Sequence, residues 1–189
     1  MRELTLIVQT SLDGFVAGPK GEFDNFLGGE ENLEFVCSLT DDADAALLGR
    51  VSYQLLNKDW PTAANKPGAT KNEIKYSCWY NDVPKYVLSK TLTVNNSEKT
   101  VVISGNIETE INHIKQQPGK TILIFGSPTA VRHLFELNLV DSFWIIVHPR
   151  IFGQGIPFFR PSESIVKLEL LASKQLSNGT FCHKYSVGK

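Results

Sequence analysis

The chain has 189 residues, of which 42% are hydrophobic and 21% are charged, and its formal net charge at pH 7 is −1. This composition is that of an ordinary globular protein, and the balanced charge excludes the broad electrostatic field that favours nucleic acid or an anionic membrane. The length predicts a single domain over residues 1–189, large enough to bury a sizeable core. We therefore expect neither a nucleic-acid partner nor a membrane partner.

The first residues and the cysteines both indicate a reducing compartment inside the cell. Met1-Arg2-Glu3 leads directly into LTLIVQT, which has neither the long apolar core nor the small-residue cleavage site of a signal peptide. No later apolar run is long enough to span a bilayer. Cys37, Cys78 and Cys182 are scattered and odd in number, which predicts free thiols. The sequence therefore predicts a cytoplasmic protein.

Strands and helices are predicted to alternate in the N-terminal half. In chain order they are a strand at Leu4–Thr10, a short strand at Phe15–Ala17 in a Gly- and Asp-rich loop, a weak helix at Asn32–Leu39, a buried strand at Ala45–Leu48 and a helix from Val51–Leu56. Residues 57–84 are rich in Asn, Lys and Pro. We expect a surface loop there, with one helical turn near Asn72–Tyr76.

The C-terminal half continues this alternation and ends in a hairpin. The predicted elements are strands at Lys85–Ser89 and Thr100–Ser104, a helix at Ile107–Lys115, a strand at Ile122–Phe125, a helix from Pro128 to a left-handed stop at Asn138, a strand at Phe143–Val147, and strands near Val166–Gln175 and Thr180–Ser186 around a Ser177-Asn178-Gly179 turn. This order predicts an α/β protein with one sheet flanked by helices and antiparallel strands at its C-terminal end.

The turn after Ile122–Phe125 carries the strongest local signal for a ligand. Gly126 ends the apolar run, Ser127 is a candidate helix cap, and Pro128 suits a first helical turn. A helix that begins at the carboxyl end of a strand directs free N–H groups and a positive dipole end at that edge, where α/β proteins hold phosphate. The turn therefore predicts a phosphate site, although many strand–turn–helix units bind nothing.

Four segments, in order along the chain, resemble one known family. They are SLDGFVAG (11–18), LLGRVSYQ (47–54), KYVLSKTL (85–92) and the stretch from FGSPTAV to IFGQG (125–155). Together they resemble the reductase domain of the bifunctional riboflavin-biosynthesis deaminase/reductase, which has the dihydrofolate reductase-like fold. The resemblance implies a three-layer α-β-α domain with a single mixed, mostly parallel twisted sheet and NADPH as cofactor. The zinc motif of the deaminase half, H-x-E with P-C-x-x-C, is absent from the sequence, so a stand-alone reductase domain is implied.

The resemblance also implies a cofactor site. Arg50 would face the 2′-phosphate, because a guanidinium donates paired charge-assisted hydrogen bonds to phosphate, and Ser52 would meet the pyrophosphate. The other implied cofactor residues are Val16, Ala17, Gly49, Ser89, Lys90, Thr91, Ser104, Phe125, Gly126, Ser127, Thr129 and Ala130. The pair Gly126-Ser127 stands where the family usually has Gly-Gly. The Cβ atom of Ser127 restricts how closely a pyrophosphate approaches. The alternative is that Gly49 makes a turn, Ser52 caps a helix and Arg50 is solvated.

The substrate end of the implied site is rich in carboxylates. Asp13 resembles the acid of the family's S-x-D-G element, beside substrate and nicotinamide, and it is predicted as the catalytic residue. An Asp-Gly turn is the equally weighted alternative. Substrate-facing residues are predicted at Gln9, Asp24, Glu34, Gly153, Gly155 and Phe158. Glu30, Glu31 and Glu34 are candidate proton donors, but acids near a helix start also serve as a solvated face, so the donor stays unassigned.

The combined prediction is an NADPH-dependent reductase that transfers a hydride to a pterin-, pyrimidine- or ribosylamine-type small molecule. The alternative is a dinucleotide- or ligand-binding protein that shares the fold but does not turn over. No metal is predicted, because the four histidines, His113, His133, His148 and His183, lack ligand spacing and are expected to be surface or hydrogen-bonded side chains. The apolar hairpin and aromatic residues near the C-terminus predict a homodimer.

Overall fold

Apolar strands alternate with amphipathic helices to build an α/β fold. The structure, a computed structural model, describes residues 1–93, 99–126, 128–159 and 165–188. Its elements are β1 (Leu4–Ser11), β2 (Phe15–Ala17), α1 (Glu30–Thr40), β3 (Ala43–Gly49), α2 (Arg50–Ala63), α3 (Lys71–Asp82), β4 (Lys85–Leu88), β5 (Thr100–Ile103), α4 (Ile107–Gln116), β6 (Thr121–Phe125), α5 (Pro128–Glu136), β7 (Ser142–His148), β8 (Ile156–Pro157), β9 (Leu168–Gln175) and β10 (Phe181–Val187).

The main sheet has eight strands in the order β5-β4-β3-β6-β1-β7-β10-β9. The pairs from β5 to β7 are parallel, whereas β10 is antiparallel to both β7 and β9. The predicted mixed, mostly parallel sheet with a C-terminal antiparallel hairpin is therefore confirmed. A second sheet, formed by β2 and β8, was not predicted because β8 has only two residues.

Helices cover both faces of the sheet, as the three-layer prediction requires. Leu6 of β1 packs in one cluster with Ile111 of α4 and Leu134 of α5. Ile7, the next residue of the strand, points to the opposite face and packs with Phe35 of α1. Each such side chain contributes about 1.5–3 kcal/mol when it is buried. The alternation along β1 therefore fixes which helices lie on which face.

The prediction of a surface loop over residues 57–84 is wrong, although the helical turn predicted near Asn72–Tyr76 lies within α3. Helix α2 continues to Ala63, and α3 occupies Lys71–Asp82. Pro61 lies inside the last turn of α2. Helix α3 begins at a capping box in which Thr70 and Glu73 satisfy each other's backbone N–H groups. The ring of Trp60 lies 4.4 Å from that of Tyr76. Packing between the two helices therefore overrides the loop-like composition.

The C-terminal signals agree with the structure more closely. Asn138 has a φ of 53°, as expected for a left-handed helix stop, and Gly179 has a φ of 84° in the hairpin turn. All residues of β9, the outer strand, are exposed. Cys37 and Cys182 are buried and Cys78 is exposed, and all three are free thiols. Within the described ranges, no helix has both the length and the apolar character needed to cross a membrane.

Candidate functional site

A cavity of about 660 Å³ opens at the carboxyl ends of β1, β6 and β7. Helices α1, α2 and α3 contribute side chains to its lining, together with the start of α5. The lining is mostly apolar, and its polar side chains include Gln9, Glu30, Asn32, Ser52, Thr70 and Glu73. A concave, largely apolar site with a few polar groups is the usual form of a small-molecule site.

Several residues predicted from the sequence meet in this cavity although they come from distant parts of the chain. Strands β1 and β2 contribute one residue each, the start of α2 another, the end of β6 and the residue after it two more, and the residue after β8 the sixth. The predicted residues in the lining are Gln9, Val16, Ser52, Phe125, Gly126 and Phe158. The parallel neighbours β1 and β6 end at the same edge of the main sheet, whereas Val16 lies on β2 of the second sheet and Phe158 follows β8.

The predicted phosphate-binding residues lie along this edge, beside the cavity. Gly49 pairs in register with Leu88 of β4, which in turn pairs with Ile103 of β5, so the three strands end side by side. Arg50 follows directly after β3, as Ser89 follows β4 and Ser104 follows β5. The structure therefore brings these predicted residues to one edge, although none of the three lines the cavity.

Two exposed cations stand along this edge. Arg50 donates from Nη1 to Gln54 Oε1 at 3.0 Å, and Lys90 lies in the turn that follows β4. Among the described residues, neither pairs with a carboxylate. Ser89 Oγ shapes that turn, because it accepts hydrogen bonds from the backbone N–H groups of Thr91 and Leu92 at 3.1 Å and 2.9 Å. This edge therefore presents two cations, with the exposed Glu108 and Glu110 nearby in the first turn of α4 after β5.

The turn after β6 approaches the start of α2 closely. Gly126 has a φ of 57°, and a Cβ atom at this position would stand 3.1 Å from Ser52 Oγ. Helix α2 has no side-chain cap at Gly49, so its first N–H groups are not bonded by a capping side chain. The predicted cap Ser127 lies outside the described residues. Thr129 and Ala130 are in the first turn of α5 but do not line the cavity.

Asp13 is exposed and lies outside the cavity lining. Its carboxylate accepts hydrogen bonds from the backbone N–H groups of Phe152 and Gly153 at 3.0 Å and 2.8 Å. A hydrogen bond with the Ser11 side chain, followed by these backbone bonds, lowers the pKa of Asp13 to about 2. In this structure the carboxylate therefore holds the loop between β7 and β8. Its catalytic role stays a prediction.

The same loop explains two predicted glycines. Gly153 has a φ of 72°, and its N–H group is one of those bound by Asp13. A Cβ atom at Gly155 would stand only 2.3 Å from the carbonyl oxygen of Ala17, so this glycine permits the close approach of β2. Neither glycine lines the cavity, and nor do Ala17 and Asp24. Their substrate and cofactor contacts stay predictions.

The glutamates of α1 are separated by the structure. Glu30 lines the cavity, and its Oε1 accepts a hydrogen bond from Asn72 Nδ2 at 2.6 Å. Glu31 instead accepts from the backbone N–H of Ser177, at 2.8 Å, in the hairpin turn. Glu34 is exposed and lies outside the lining. Among the three candidate proton donors, Glu30 is thus the one that reaches the cavity.

His148 is buried and contacts Gln9 of the cavity lining, a role that the sequence did not indicate. Its side chain is 0% exposed, and Nε2 lies 2.9 Å from Gln9 Oε1, while Nδ1 accepts from the backbone N–H of Leu27 at 3.2 Å. Burial, with the neighbouring charge of Arg150, lowers the pKa of His148 to about 4. The polar Gln9 in an apolar strand was the only sequence signal for such a partner.

The contribution of α3 to the cavity lining was not predicted, because most of the helix was not predicted. Thr70, Glu73 and Tyr76 all line the cavity. The spacing Thr70-x-x-Glu73 is the signal that predicts a helix start here. Among the described residues, no three His, Cys, Asp or Glu side chains form a cluster suited to a metal ion.

Solved structures show that the fold is dihydrofolate reductase-like. Dihydrofolate reductase from Enterococcus faecalis, solved in complex with NADP(H), superposes with a TM-score of 0.62 at 12% identity and covers 99% of this chain and 97% of its own. A riboflavin biosynthesis protein from Shewanella sp. PV-4, described as putative, superposes with a TM-score of 0.73 at 19% identity and covers 99% of both chains.

Sequence comparison identifies the family itself. The family model of the RibD C-terminal domain matches residues 2–182, so this chain belongs to that family. The uncharacterized protein YyaP of Bacillus subtilis (strain 168) is 29% identical over 180 residues, which cover 94% of this chain and 91% of YyaP. The predicted resemblance to the riboflavin-biosynthesis reductase domain is therefore confirmed.

Proposed function

We propose that the protein is an NADPH-dependent reductase of a planar heterocyclic small molecule, of the pterin, pyrimidine or ribosylamine type. The observation that carries this proposal is the apolar cavity of about 660 Å³ at the carboxyl ends of parallel strands, beside an edge with two exposed cations that pair with no carboxylate among the described residues. The cavity suits a flat ring, and the edge suits a phosphorylated cofactor.

The residues at the edge fit NADPH. Arg50 and Lys90 would hold the 2′-phosphate, since both are exposed and unpaired with carboxylates among the described residues. The uncapped start of α2, Ser52 and Gly126 would hold the pyrophosphate, because a Cβ atom at Gly126 would narrow the gap to Ser52. When bound, NADPH supplies the hydride.

The residues around the cavity would bind and protonate the substrate. Val16 and Phe158 provide apolar contacts, and Gln9 a polar contact. Glu30 is proposed to deliver the proton, because it is the α1 carboxylate in the lining and Asn72 fixes one of its oxygens. Asp13 would act through the loop that it holds, by keeping Phe152 and Gly153 in place.

The cofactor assignment is tested by comparing NADPH with NADH. Arg50→Ala removes a charged hydrogen-bonding partner, typically about 1.5–3 kcal/mol, and should weaken NADPH binding about 10- to 150-fold while NADH changes little. Lys58→Ala, at an exposed lysine on the same helix, is the matched control. Equal losses for both cofactors would contradict the placement of Arg50 at the 2′-phosphate.

The proton donor is tested within one helix. Glu30→Gln should lower the turnover number about 10²- to 10⁴-fold, whereas Glu34→Gln should leave it unchanged, because Glu34 lies outside the cavity lining. The assay is NADPH oxidation with a panel of pterins and aminopyrimidine ribosides. A large loss in Glu34→Gln alone would transfer the role to that residue. NADPH binding without turnover on any substrate would favour the alternative, a ligand-binding protein without catalysis.

We also propose a homodimer formed through the hairpin of β9 and β10. Strand β9 is an outer strand, and Leu168, Leu170 and Leu171 on it are all exposed. An unpaired edge with exposed leucines is costly in water and is stabilised when a second copy covers it. The pairing of two identical edges is compatible with twofold symmetry.

A further inference from the structure

The hydrogen bond between His148 and Gln9, a residue of the cavity lining, indicates which chemical groups a ligand can present to this cavity. Gln9 and His148 lie on neighbouring parallel strands, where Gln9 pairs in register with Ile146 and His148 with Ser11. Both side chains therefore point to the face of the sheet that carries the cavity. The His148 ring is buried, lies 4.8 Å from the ring of Phe26, and contacts Gln9 with Nε2.

The backbone of the preceding loop determines the tautomer of His148. The Leu27 N–H group donates to Nδ1 at 3.2 Å, so Nδ1 must be unprotonated. The proton of the neutral ring is then on Nε2, which lies 2.9 Å from the Gln9 side chain. Because Nε2–H is a donor, the Gln9 atom that faces it must be the carbonyl oxygen.

This arrangement leaves the amide nitrogen of Gln9 for the cavity. Gln9 lines the cavity, and none of the described residues accepts a hydrogen bond from its Nε2. Burial lowers the pKa of His148 to about 4, so the ring stays neutral and the tautomer is stable at neutral pH. The cavity wall is therefore a hydrogen-bond donor at this point.

We propose that His148 is a positioning residue that fixes the Gln9 amide with its NH₂ group towards the cavity, and that the ligand presents a hydrogen-bond acceptor, a carbonyl oxygen or an unprotonated ring nitrogen, to β1. The inference rests on the proposed function in taking this cavity as the ligand site. A ligand with an amino group at this point would place two donors face to face and leave both unpaired.

The test uses two neutral bicyclic probes of the same shape. Isocoumarin carries a carbonyl group where 1-naphthylamine carries an amino group. Binding is measured by ligand-detected NMR titration at about pH 7, without NADPH. We expect isocoumarin to bind about 5- to 150-fold more tightly than 1-naphthylamine, the range typical of a buried polar group left unpaired. Equal affinity, a preference for the amine, or no binding of isocoumarin would overturn the inference.

Variants separate the roles of the two residues. Gln9→Glu offers only acceptors and should reverse the preference, whereas Gln116→Glu, at an exposed site on α4, should keep it. His148→Leu frees the Gln9 amide to rotate, so the preference should fall towards one. His148→Gln restores a donor and should recover part of it. An unchanged preference in a folded His148→Leu protein would overturn the positioning role.

A measurement on the unaltered protein does not depend on how the variants fold. Long-range ¹H–¹⁵N spectra should show one histidine ring that stays neutral at about pH 5.5, with Nε2 protonated and Nδ1 unprotonated. The opposite tautomer would overturn the inference. NADPH binding is measured separately, so that loss of the cofactor site refutes the proposed function, whereas a wrong probe preference refutes only the orientation of Gln9.

Discussion

Replacing Gly126 by alanine should destabilise the protein through two separable effects. The first is backbone strain, because Gly126 has a φ of 57° and an L-residue in the left-handed region costs about 1–2 kcal/mol. The second is steric, because the new Cβ atom would stand 3.1 Å from Ser52 Oγ. Overpacking of this kind adds about 1–3 kcal/mol. We therefore expect a total loss of about 2–5 kcal/mol in the free energy of unfolding.

Two control variants isolate these effects. Gly68→Ala carries only the backbone strain, because Gly68 has a φ of 77° and nothing lies within 4 Å of the added Cβ atom. Ser52→Ala removes the Oγ atom and leaves the Ser52 Cβ atom at an ordinary 3.9 Å from the added one. The double variant Gly126→Ala/Ser52→Ala should therefore be about as destabilised as Gly68→Ala once the effect of Ser52→Ala alone is subtracted.

The assay is equilibrium urea unfolding of the four variants, with thermal unfolding as a second measure. For a chain of this size, each kcal/mol corresponds to a shift of about 2–4 °C in the melting temperature. If Gly126→Ala is no more destabilising than Gly68→Ala, the turn after β6 has room to move away from α2. If Ser52→Ala fails to restore stability, the contact with Ser52 is not the cause of the loss.

Three further outcomes are expected. Stability against urea should be greatest above pH 6.5 and should fall as the pH drops through about 4, because His148 has a lowered pKa and takes up a proton on unfolding. The variant His148→Gln should flatten this dependence of stability on pH, whereas His133→Gln, at an exposed histidine, should not. Asp13→Asn should speed amide hydrogen exchange at Gly153 about five- to tenfold. An unchanged exchange rate would contradict the contact between Asp13 and this loop. Leu170→Lys, at a side chain that is 54% exposed, should shift the sedimenting species to the monomer mass of 21.1 kDa; a monomeric unaltered protein would refute the dimer.

The strands of the main sheet and their order along the chain were predictable because burial leaves a local pattern of apolar residues. Residues 4–10 are mostly apolar, with Thr5, Gln9 and Thr10 as the polar exceptions, and this run lies in β1, which is covered on both faces. The glycine after β6 and the left-handed Asn138 were likewise readable, since each reflects the backbone of its own turn. The family resemblance predicted which strand ends would come together. The local sequence of a strand could not, because it does not specify that strand's parallel neighbours.

The parts that were missed depend on contacts between distant residues. Gln9 and His148 are 139 positions apart, and only the pairing of β1 with β7 makes them neighbours. Helix α3 was predicted only as one helical turn near Asn72–Tyr76 because its composition is polar, whereas packing of Trp60 of α2 on Tyr76 stabilises the longer helix. Asp13 shows the same difficulty, since its sequence motif is equally compatible with a substrate contact and with the loop that it binds.

Two parts of the cavity lining, here called the floor and the wall, differ in how freely their residues can be substituted. Ile7 and Ile146 on its floor belong to strands packed between helices, so a change in their volume disturbs the whole core. Leu55 and Thr70, on or beside the helices between β3 and β4, are exposed at the opposite wall and carry little of that constraint. Substitutions at these two exposed positions can thus change the shape of the cavity without loss of the sheet.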